Sequence, residues 1–167
     1  MLTTPPLPPR PISGRFVWRL LLTDGWAIAA LVFALLGVVF APLGLGLTVA
    51  MVTAFIGIPF AILGVAFLGL AIGAFVWRYR EARMTVRVLR EGDAVRGEIV
   101  EVLENYSVTI HGRHPWEIDY EFQAGGQVHR GRARTLNTPG ARLRPGSPTF
   151  VLYLPGSPEN SALYPHP

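Results

Sequence analysis

The most constraining feature of this chain is a run of 53 residues, 25–77, that contains no Asp, Glu, Lys, Arg or His. The hydrocarbon core of a bilayer is about 30 Å thick, so an apolar helix needs about 20 residues to cross it. The run therefore has room for two crossings and a tight turn, but not for a third helix. We expect an α-helical hairpin of two transmembrane helices.

Two short segments inside this run contain both proline and glycine and are candidates for the turn between the helices. The first is 42–46 (Pro42, Gly44, Gly46) and the second is 57–59 (Gly57-Ile58-Pro59). Proline interrupts a helix because it lacks the amide donor, and glycine weakens a helix through its conformational freedom. We therefore place the crossings at about 25–45 and 55–78, and the hairpin as a whole at 25–78.

Gly69 and Gly73 stand four residues apart in the second predicted helix. This spacing places two small residues on one face, where a neighbouring helix backbone can approach closely. One interpretation is dimerisation, and the other is packing of the second span on the first. A homodimer is therefore one predicted assembly of the chain.

The arginines predict the orientation of the hairpin. Arg is the only basic residue type apart from His, and it occurs before the first span and after the second but not between them. Because positively charged flanks stay in the cytoplasm, we expect both termini and the soluble domain on that side of a bacterial inner membrane. The residues that suit the membrane interface are Arg15, Trp18, Arg19, Trp26, Trp77, Arg78 and Arg80.

The N-terminal segment, 1–24, is a proline-rich arm followed by an interfacial stretch. Five prolines between positions 5 and 11 favour an extended polyproline conformation. The arm is therefore expected to be a disordered tail, and the alternative is a ligand for an aromatic-lined groove on another protein. Either Thr23 or Asp24 is suited to cap the first transmembrane helix.

The pattern after the second span changes from helical to that of β-strands. A helical extension is predicted over 79–91, with Gly92 as its end, and a small β domain over 92–164. Its five predicted strands are Val95–Leu103, Tyr106–Ile110, Trp116–Phe122, Val128–Thr135 and Thr149–Leu154. Such a series predicts a small antiparallel all-β domain, either barrel-like or a curled sheet. The tail Glu159–Pro167 is expected to be ordered where Leu163 and Tyr164 find a surface to pack on.

A β-hairpin with Gly125-Gly126 as its turn has a register that the charges predict. Three acids then face three arginines directly across the strands, in the pairs Glu121–Arg130, Asp119–Arg132 and Glu117–Arg134. Opposite charges in this position contribute about 0.2–1 kcal/mol each. A slip by one residue would lose the pairs and expose the aromatic face. We call these six residues the charge ladder, and we expect Trp116, Tyr120 and Phe122 on the opposite, core-facing side.

The second half of the chain resembles domain-of-unknown-function family thirty-five ninety-two, which is widespread in bacteria. The residues that carry the resemblance are Gly97-x-Ile99, Tyr120-x-Phe122, the segment Leu143–Gly146 that precedes the last predicted strand, Val151-Leu-Tyr153-Leu-Pro155, Pro158 and Ser161-x-Leu163. They cover most of 57–164, after the first span. The resemblance implies a membrane-anchored small β domain, and it implies no catalytic residues.

A histidine cluster is the strongest candidate for an enzymatic site. His111 and His114 are three residues apart, and His129 lies on the predicted hairpin. Three imidazoles and a water would make a catalytic zinc site, and the function would then be that of a metal-dependent hydrolase. However, the first two histidines lie in a Gly/Pro-containing loop, where this spacing does not bring them to one face. His129 also points to the aromatic side of the hairpin.

The sequence contains no motif for acyl transfer, phosphate binding or acid–base catalysis, and little support for nucleic-acid binding. The chain has no Gly-x-Ser-x-Gly elbow and no Lys-containing phosphate loop, and its paired carboxylates are held ionised by arginine. The charge ladder neutralises the arginines that would otherwise suggest a nucleic-acid surface. We expect a non-catalytic interaction or structural module without a cofactor, whose partners are the lipid bilayer and another protein. A sensor of anionic lipids is a further alternative, with Arg78 to Arg90 as lipid contacts.

Overall fold

A computed structural model describes residues 4–49, 53–110 and 112–167 of the chain. These residues form two compact units: 24–81 is one, and the residues before 24 together with those from 82 onward are the other. The elements are α1 (Arg15–Leu22), α2 (Gly25–Val49), α3 (Ala54–Glu91), β1 (Asp93–Glu104), β2 (Trp116–Ala124), β3 (Gln127–Thr135), β4 (Pro148–Leu154) and β5 (Ser157–Tyr164).

The two long helices, α2 and α3, are each long and apolar enough to cross a membrane. Helix α2 ends at Val49 and helix α3 begins at Ala54, so they separate in the interval left between the predicted crossings, and neither of the two candidate turn segments lies there. Pro42 lies inside α2 and Pro59 lies inside α3. Helix α2 thus continues four residues beyond its predicted end at 45, and α3 begins one residue before its predicted start at 55, while residues 50–52 lie outside the described part.

Glycine in this hairpin permits close packing rather than a turn. An added Cβ atom at Gly44 would lie 2.7 Å from the Cα atom of Ala61, and one at Gly57 would lie 2.6 Å from the amide nitrogen of Thr48. Only a residue without a side chain allows two backbones to approach this closely. The buried small residues recur every seven positions, which is about two helical turns. They are Ala30, Gly37 and Gly44 in α2 and Gly57, Gly64 and Ala71 in α3.

The expectation that Gly69 and Gly73 pack the second helix on the first is wrong. An added Cβ atom at either position would meet nothing within 4 Å. The small seven-residue repeat performs that role instead. Dimerisation through Gly69 and Gly73 remains a prediction.

Helix α3 continues to Glu91, and the predicted end at Gly92 is confirmed. The Gly92 amide donates a hydrogen bond of 2.8 Å to the Val88 carbonyl, and β1 begins at the next residue. An added Cβ atom at Gly92 would lie 3.0 Å from the Tyr153 carbonyl oxygen. Glycine is therefore suited to this position because β4 passes close to the helix end.

The five strands form one antiparallel sheet in the order β3-β2-β1-β4-β5. The sheet curls until its two edge strands come close together, which makes it nearly closed and barrel-like. The Tyr120 hydroxyl on β2 lies 3.1 Å from the Ser161 hydroxyl on β5, and Ala133 of β3 shares a core with Leu163 of β5. The predicted antiparallel β domain of about five strands is confirmed.

One predicted strand was wrong and another was missed. Residues 106–110 do not form a strand, because the Asn105 side chain accepts a 3.0 Å hydrogen bond from the Ser107 amide and starts a turn. The fifth strand is β5, which the sequence presents as a tail. It pairs with β4, and Leu163 packs into the barrel interior while Tyr164 packs on the outside.

Strand β4 is covered on both faces, as its continuous apolar sequence predicts. Val151 belongs to the core inside the barrel, together with Ile99, Ile118 and Tyr120. Leu152 points the other way and packs against Val88, Leu89 and Ala162, and Ile12 and Phe16 complete this second core. The N-terminal arm and the last turns of α3 therefore cover the outer face of β4 and β5.

Candidate functional site

The charge ladder lies on the outer face of β2 and β3, in the register predicted from the sequence. The paired atoms are Arg130 Nε and Glu121 Oε1 at 2.5 Å, Arg132 Nε and Asp119 Oδ1 at 2.6 Å, and Arg134 Nε and Glu117 Oε1 at 3.1 Å. Arg132 also reaches Glu117, with 2.9 Å between Nη1 and Oε2. The three arginines thus meet carboxylates on the neighbouring strand.

The electrostatics of the ladder centre on Asp119. Its carboxylate accepts two hydrogen bonds from Arg132, and this interaction lowers the pKa of Asp119 below its ordinary value. The same bond raises the pKa of Arg132. Both groups therefore stay charged at neutral pH, and Asp119 is unsuited to donate a proton in catalysis.

The stability of the β domain is expected to fall in acid as Asp119 takes up a proton. Because the pKa of Asp119 is lower in the folded state, its contribution is complete above its ordinary pKa, about 4, and is lost as the pH falls through the lower, folded-state value. The contribution at neutral pH is below about 1 kcal/mol, since the pair faces solvent. Urea unfolding at a series of acidic pH values would show a flatter pH dependence for Asp119→Asn than for the natural chain.

A matched control is Glu159→Gln, which removes a carboxylate that is exposed on β5 and lies outside the ladder. It should keep the pH dependence of the natural chain. Equal slopes for Asp119→Asn and the natural chain would contradict the assignment of the acid sensitivity to this pair.

The aromatic side of the hairpin faces the barrel interior. The Tyr120 ring lies over Gly131, where the ring atoms occupy the position that a side chain would need. Burial raises the pKa of Tyr120, so the phenol is neutral and is available to hydrogen-bond with Ser161. Phe122 is buried in the same core, whereas Trp116 at the start of β2 is only partly buried. These rings position the sheet rather than line a site.

The histidines of the proposed metal site have other roles where the structure describes them. His129 stacks on Phe122, with 5.6 Å between ring centroids. His114 Nδ1 lies 3.0 Å from the Val108 carbonyl oxygen, to which it donates. His111 lies outside the described residues. Among the described residues, no three histidine or carboxylate side chains come together to hold a metal.

Asp24 and Arg78 join the two ends of the helical hairpin. The Arg78 Nε atom donates a 2.9 Å hydrogen bond to Asp24 Oδ1, and Nη2 pairs with Oδ2. Asp24 also caps α2, because Oδ1 accepts a 3.0 Å hydrogen bond from the Ala27 amide. Arg78 further pairs with Glu81. The Arg78 guanidinium thus forms ion pairs with two carboxylates of the chain, whereas the sequence predicted this residue as a membrane-interface and lipid-contact residue.

The other predicted interface residues lie at the surface. Trp26 and Trp77 are exposed, Trp26 two residues after Asp24 in the first turn of α2 and Trp77 next to Arg78 within α3. The remaining predicted interface residues are also exposed: Arg15, Trp18, Arg19 and Arg80. Their role at a bilayer surface remains a prediction.

Arg10 forms several hydrogen bonds that hold the N-terminal arm in place, and this role was not predicted from the sequence. It is 5% exposed, and its guanidinium donates to the carbonyls of Pro6 at 2.7 Å, Gly92 at 2.8 Å and Leu89 at 3.3 Å. Its amide donates to the Arg90 carbonyl at 2.9 Å. Arg10 thus caps the last turn of α3, where carbonyl groups lack helical partners and a cation is favoured.

The arm is therefore not a free tail. Residues 4–11 form neither helix nor strand and bend at Pro8 and Pro9, so the predicted extended conformation does not run through the arm, and Ile12 and Phe16 follow into the outer core. The signal in the sequence is a single arginine, Arg10, amid prolines, which does not by itself distinguish a docked arm from a mobile one.

A family model described as "Domain of unknown function (DUF3592)" matches residues 95–167. Residues 95–167 belong to DUF3592. The match confirms the resemblance and runs from β1 to the end of the chain, whereas the arm, the helices and Arg10 lie outside it. No curated protein and no solved structure matches this chain. In this protein, the N-terminal arm and the end of α3 pack against the DUF3592 segment and form the outer core together with it.

Proposed function

We propose that this protein is a β domain anchored in a bacterial cytoplasmic membrane by the α2–α3 hairpin, where it serves as a non-catalytic interaction or structural module. The exposed apolar surface of the hairpin carries this proposal. Leu31 in α2 is 71% exposed and Val65 in α3 is 65% exposed, and many neighbours are similar. A soluble protein does not expose apolar side chains over two such helices, whereas lipid tails cover them at no cost.

The proposed orientation rests on the arginines. Arg10, Arg15 and Arg19 precede α2, and several arginines follow the apolar part of α3, but the segment between the helices has none. The positive-inside rule then places both termini and the β domain in the cytoplasm. The ion pair of Asp24 with Arg78 supports a hairpin whose two ends lie at the same bilayer surface, where a bidentate pair is partly hydrated.

The absence of catalysis is inferred from how the polar groups of the β domain are used. The carboxylates of β2 are paired with arginine, the Tyr120 phenol is buried and neutral, and His129 stacks on a ring. Each of these groups supports packing or strand register. We therefore infer that the domain presents a rigid surface to a protein partner near the membrane.

Reporter fusions to the full chain test the anchoring and the orientation together. A fluorescent protein that folds only in the cytoplasm should be active after Pro167, and alkaline phosphatase at the same place should be inactive. The protein should also stay in the membrane pellet after alkaline carbonate treatment. An active phosphatase fusion would overturn the orientation, and release by carbonate would overturn the anchor.

The module role is tested by photo-crosslinking in intact cells. A photoreactive residue at Val128, which is exposed at the start of β3, should yield one dominant protein adduct. A buried position, Ile118, serves as the control and should yield none. If no adduct forms from several exposed positions of the sheet, the interaction role is refuted and a purely structural one remains.

A further inference from the structure

Helix α1 separates its residues into two distinct faces. Arg15, Trp18, Arg19 and Leu22 are exposed and fall within about 100° of arc at 3.6 residues per turn. Trp18 is 55% exposed and Leu22 is 66% exposed. The outer face thus alternates cations with large apolar groups, a composition found where helices lie in the plane of a membrane interface.

The opposite face fixes α1 to the β domain. Phe16 packs on the outer core and meets the His166 ring edge-on, with 5.6 Å between centroids. Burial, as the largest cause, lowers the pKa of His166, and the charge of Arg19 lowers it further. His166 is therefore neutral at pH 7 and adds no positive charge beside α1. Because Phe16 holds α1 against the β domain, the opposite, outer face of α1 points away from that domain.

The chain connectivity sets how far this face lies from the first predicted span. Only Thr23 and Asp24 separate α1 from α2, and two residues extend by about 7 Å at most. If α2 begins at the bilayer surface, this short connection keeps Leu22, the last residue of α1, near that surface. Aromatic and apolar side chains such as those of Trp18 and Leu22 are favoured at the headgroup level of a bilayer.

The charges of this region favour an anionic partner. Residues 1–23 contain three arginines and no acid. Arg10 is buried in its cap, and among the described residues no carboxylate forms an ion pair with Arg15 or Arg19. These two guanidinium groups lie on the same face as Trp18, and guanidinium matches phosphate oxygens in geometry and charge.

We propose that α1 is a membrane-surface element of the β domain, in which Arg15 and Arg19 bind the phosphates of acidic phospholipids while Trp18 and Leu22 enter the interface. This inference rests on the proposed membrane anchor. The sequence placed Arg15, Trp18 and Arg19 at the membrane interface but assigned the anionic-lipid contacts to Arg78 to Arg90, whereas this inference assigns the binding of lipid phosphates to α1. Arg78 is already paired with Asp24 and Glu81, and Arg87 pairs with Glu91.

Spin labelling of the full chain tests this proposal directly, because the chain contains no cysteine. A nitroxide on Leu22→Cys is measured in vesicles of phosphatidylcholine, and in vesicles that also contain phosphatidylglycerol. The label should be more protected from a water-soluble paramagnetic reagent in the anionic vesicles. A label on Leu7→Cys, which is exposed in the arm, should report the same accessibility in both.

Charge removal then identifies the arginines. Each of Arg15→Gln and Arg19→Gln should lower the ratio of immersed to exposed label by about fivefold in anionic vesicles, since each cation near an acidic surface contributes on this order. The control is Arg142→Gln, which removes one exposed positive charge in the loop between β3 and β4. This variant should leave the ratio unchanged.

The outcomes separate this inference from the proposed anchor. A Leu22 label that is equally accessible in both vesicle types, or insensitive to Arg15→Gln and Arg19→Gln, overturns lipid binding by α1 and leaves the anchor intact. Loss of the unlabelled protein from the vesicles on alkaline treatment overturns the anchor itself. Equal effects of Arg142→Gln and Arg19→Gln would show attraction by net charge alone and would also overturn the assignment to α1.

Discussion

Arg10→Ala is expected to lower the free energy of unfolding of the β domain by about 3 kcal/mol. The substitution removes a buried guanidinium and leaves the Leu89 and Gly92 carbonyls without their donors. It also loosens Ile12 and Phe16, which follow the arm into the outer core. Hydrogen exchange of the full chain in detergent should show loss of protection at the end of α3 and in β4 and β5.

Two comparison variants separate the role of the guanidinium from a general loss of charge. Arg10→Lys keeps the positive charge but reaches fewer of the three carbonyls, so an intermediate loss of protection is expected. Arg142→Ala removes an exposed arginine from the loop between β3 and β4 and should have an effect below about 0.5 kcal/mol. If Arg10→Ala behaves like Arg142→Ala, the arm does not contribute to the stability of the domain.

Gly64→Leu is expected to separate α2 from α3, with a loss of more than about 2 kcal/mol. An added Cβ atom at Gly64 would lie 2.6 Å from the Cα atom of Ala41, and a backbone cannot move aside as a flexible side chain can. Phe33 and Phe67 face each other across the hairpin, with 5.6 Å between ring centroids. Cysteines in their place should be joined by a short crosslinker in the parent chain, and much less in Gly64→Leu.

The matched control for this experiment is Gly69→Leu in the same helix. An added side chain there meets open space, so crosslinking within the hairpin should be unchanged. The same variant tests dimerisation, because a dimer built on Gly69 and Gly73 would lose its crosslinks between chains. Equal crosslinking within the hairpin for Gly64→Leu and Gly69→Leu would contradict the packing of α2 on α3 through the small repeat.

The β2–β3 hairpin was predictable in detail because local rules agree there. Strict alternation assigned its two faces, and two glycines with positive φ, Gly125 and Gly126, form the turn. The acid and arginine side chains then allow one favourable register. Residues 106–110 have an equally suitable composition for a strand, but the Asn105 turn prevails over that propensity.

The elements that were missed depend on partners distant in the sequence. Strand β5 is polar along much of its length and becomes a strand because β4 offers a free edge, and because Leu163 fits the barrel interior. Arg10 is 79 and 82 positions away from Leu89 and Gly92, whose carbonyls it caps. In the hairpin, glycine in 42–46 and 57–59 is ambiguous between a turn and a close helix contact until the facing helix is in place.

By itself, the sequence determined the number of long apolar helices, the end of α3 at Gly92 and the register of the charge ladder. Each follows from neighbours along the chain or directly across a short hairpin, where spacing alone brings the groups together. Only the tertiary structure decided that the proline-rich arm is part of the domain, that small residues every seven positions join α2 to α3, and which face of α1 is outermost. These features depend on long-range packing, in which a buried arginine or glycine acquires its role from atoms that the sequence places far away.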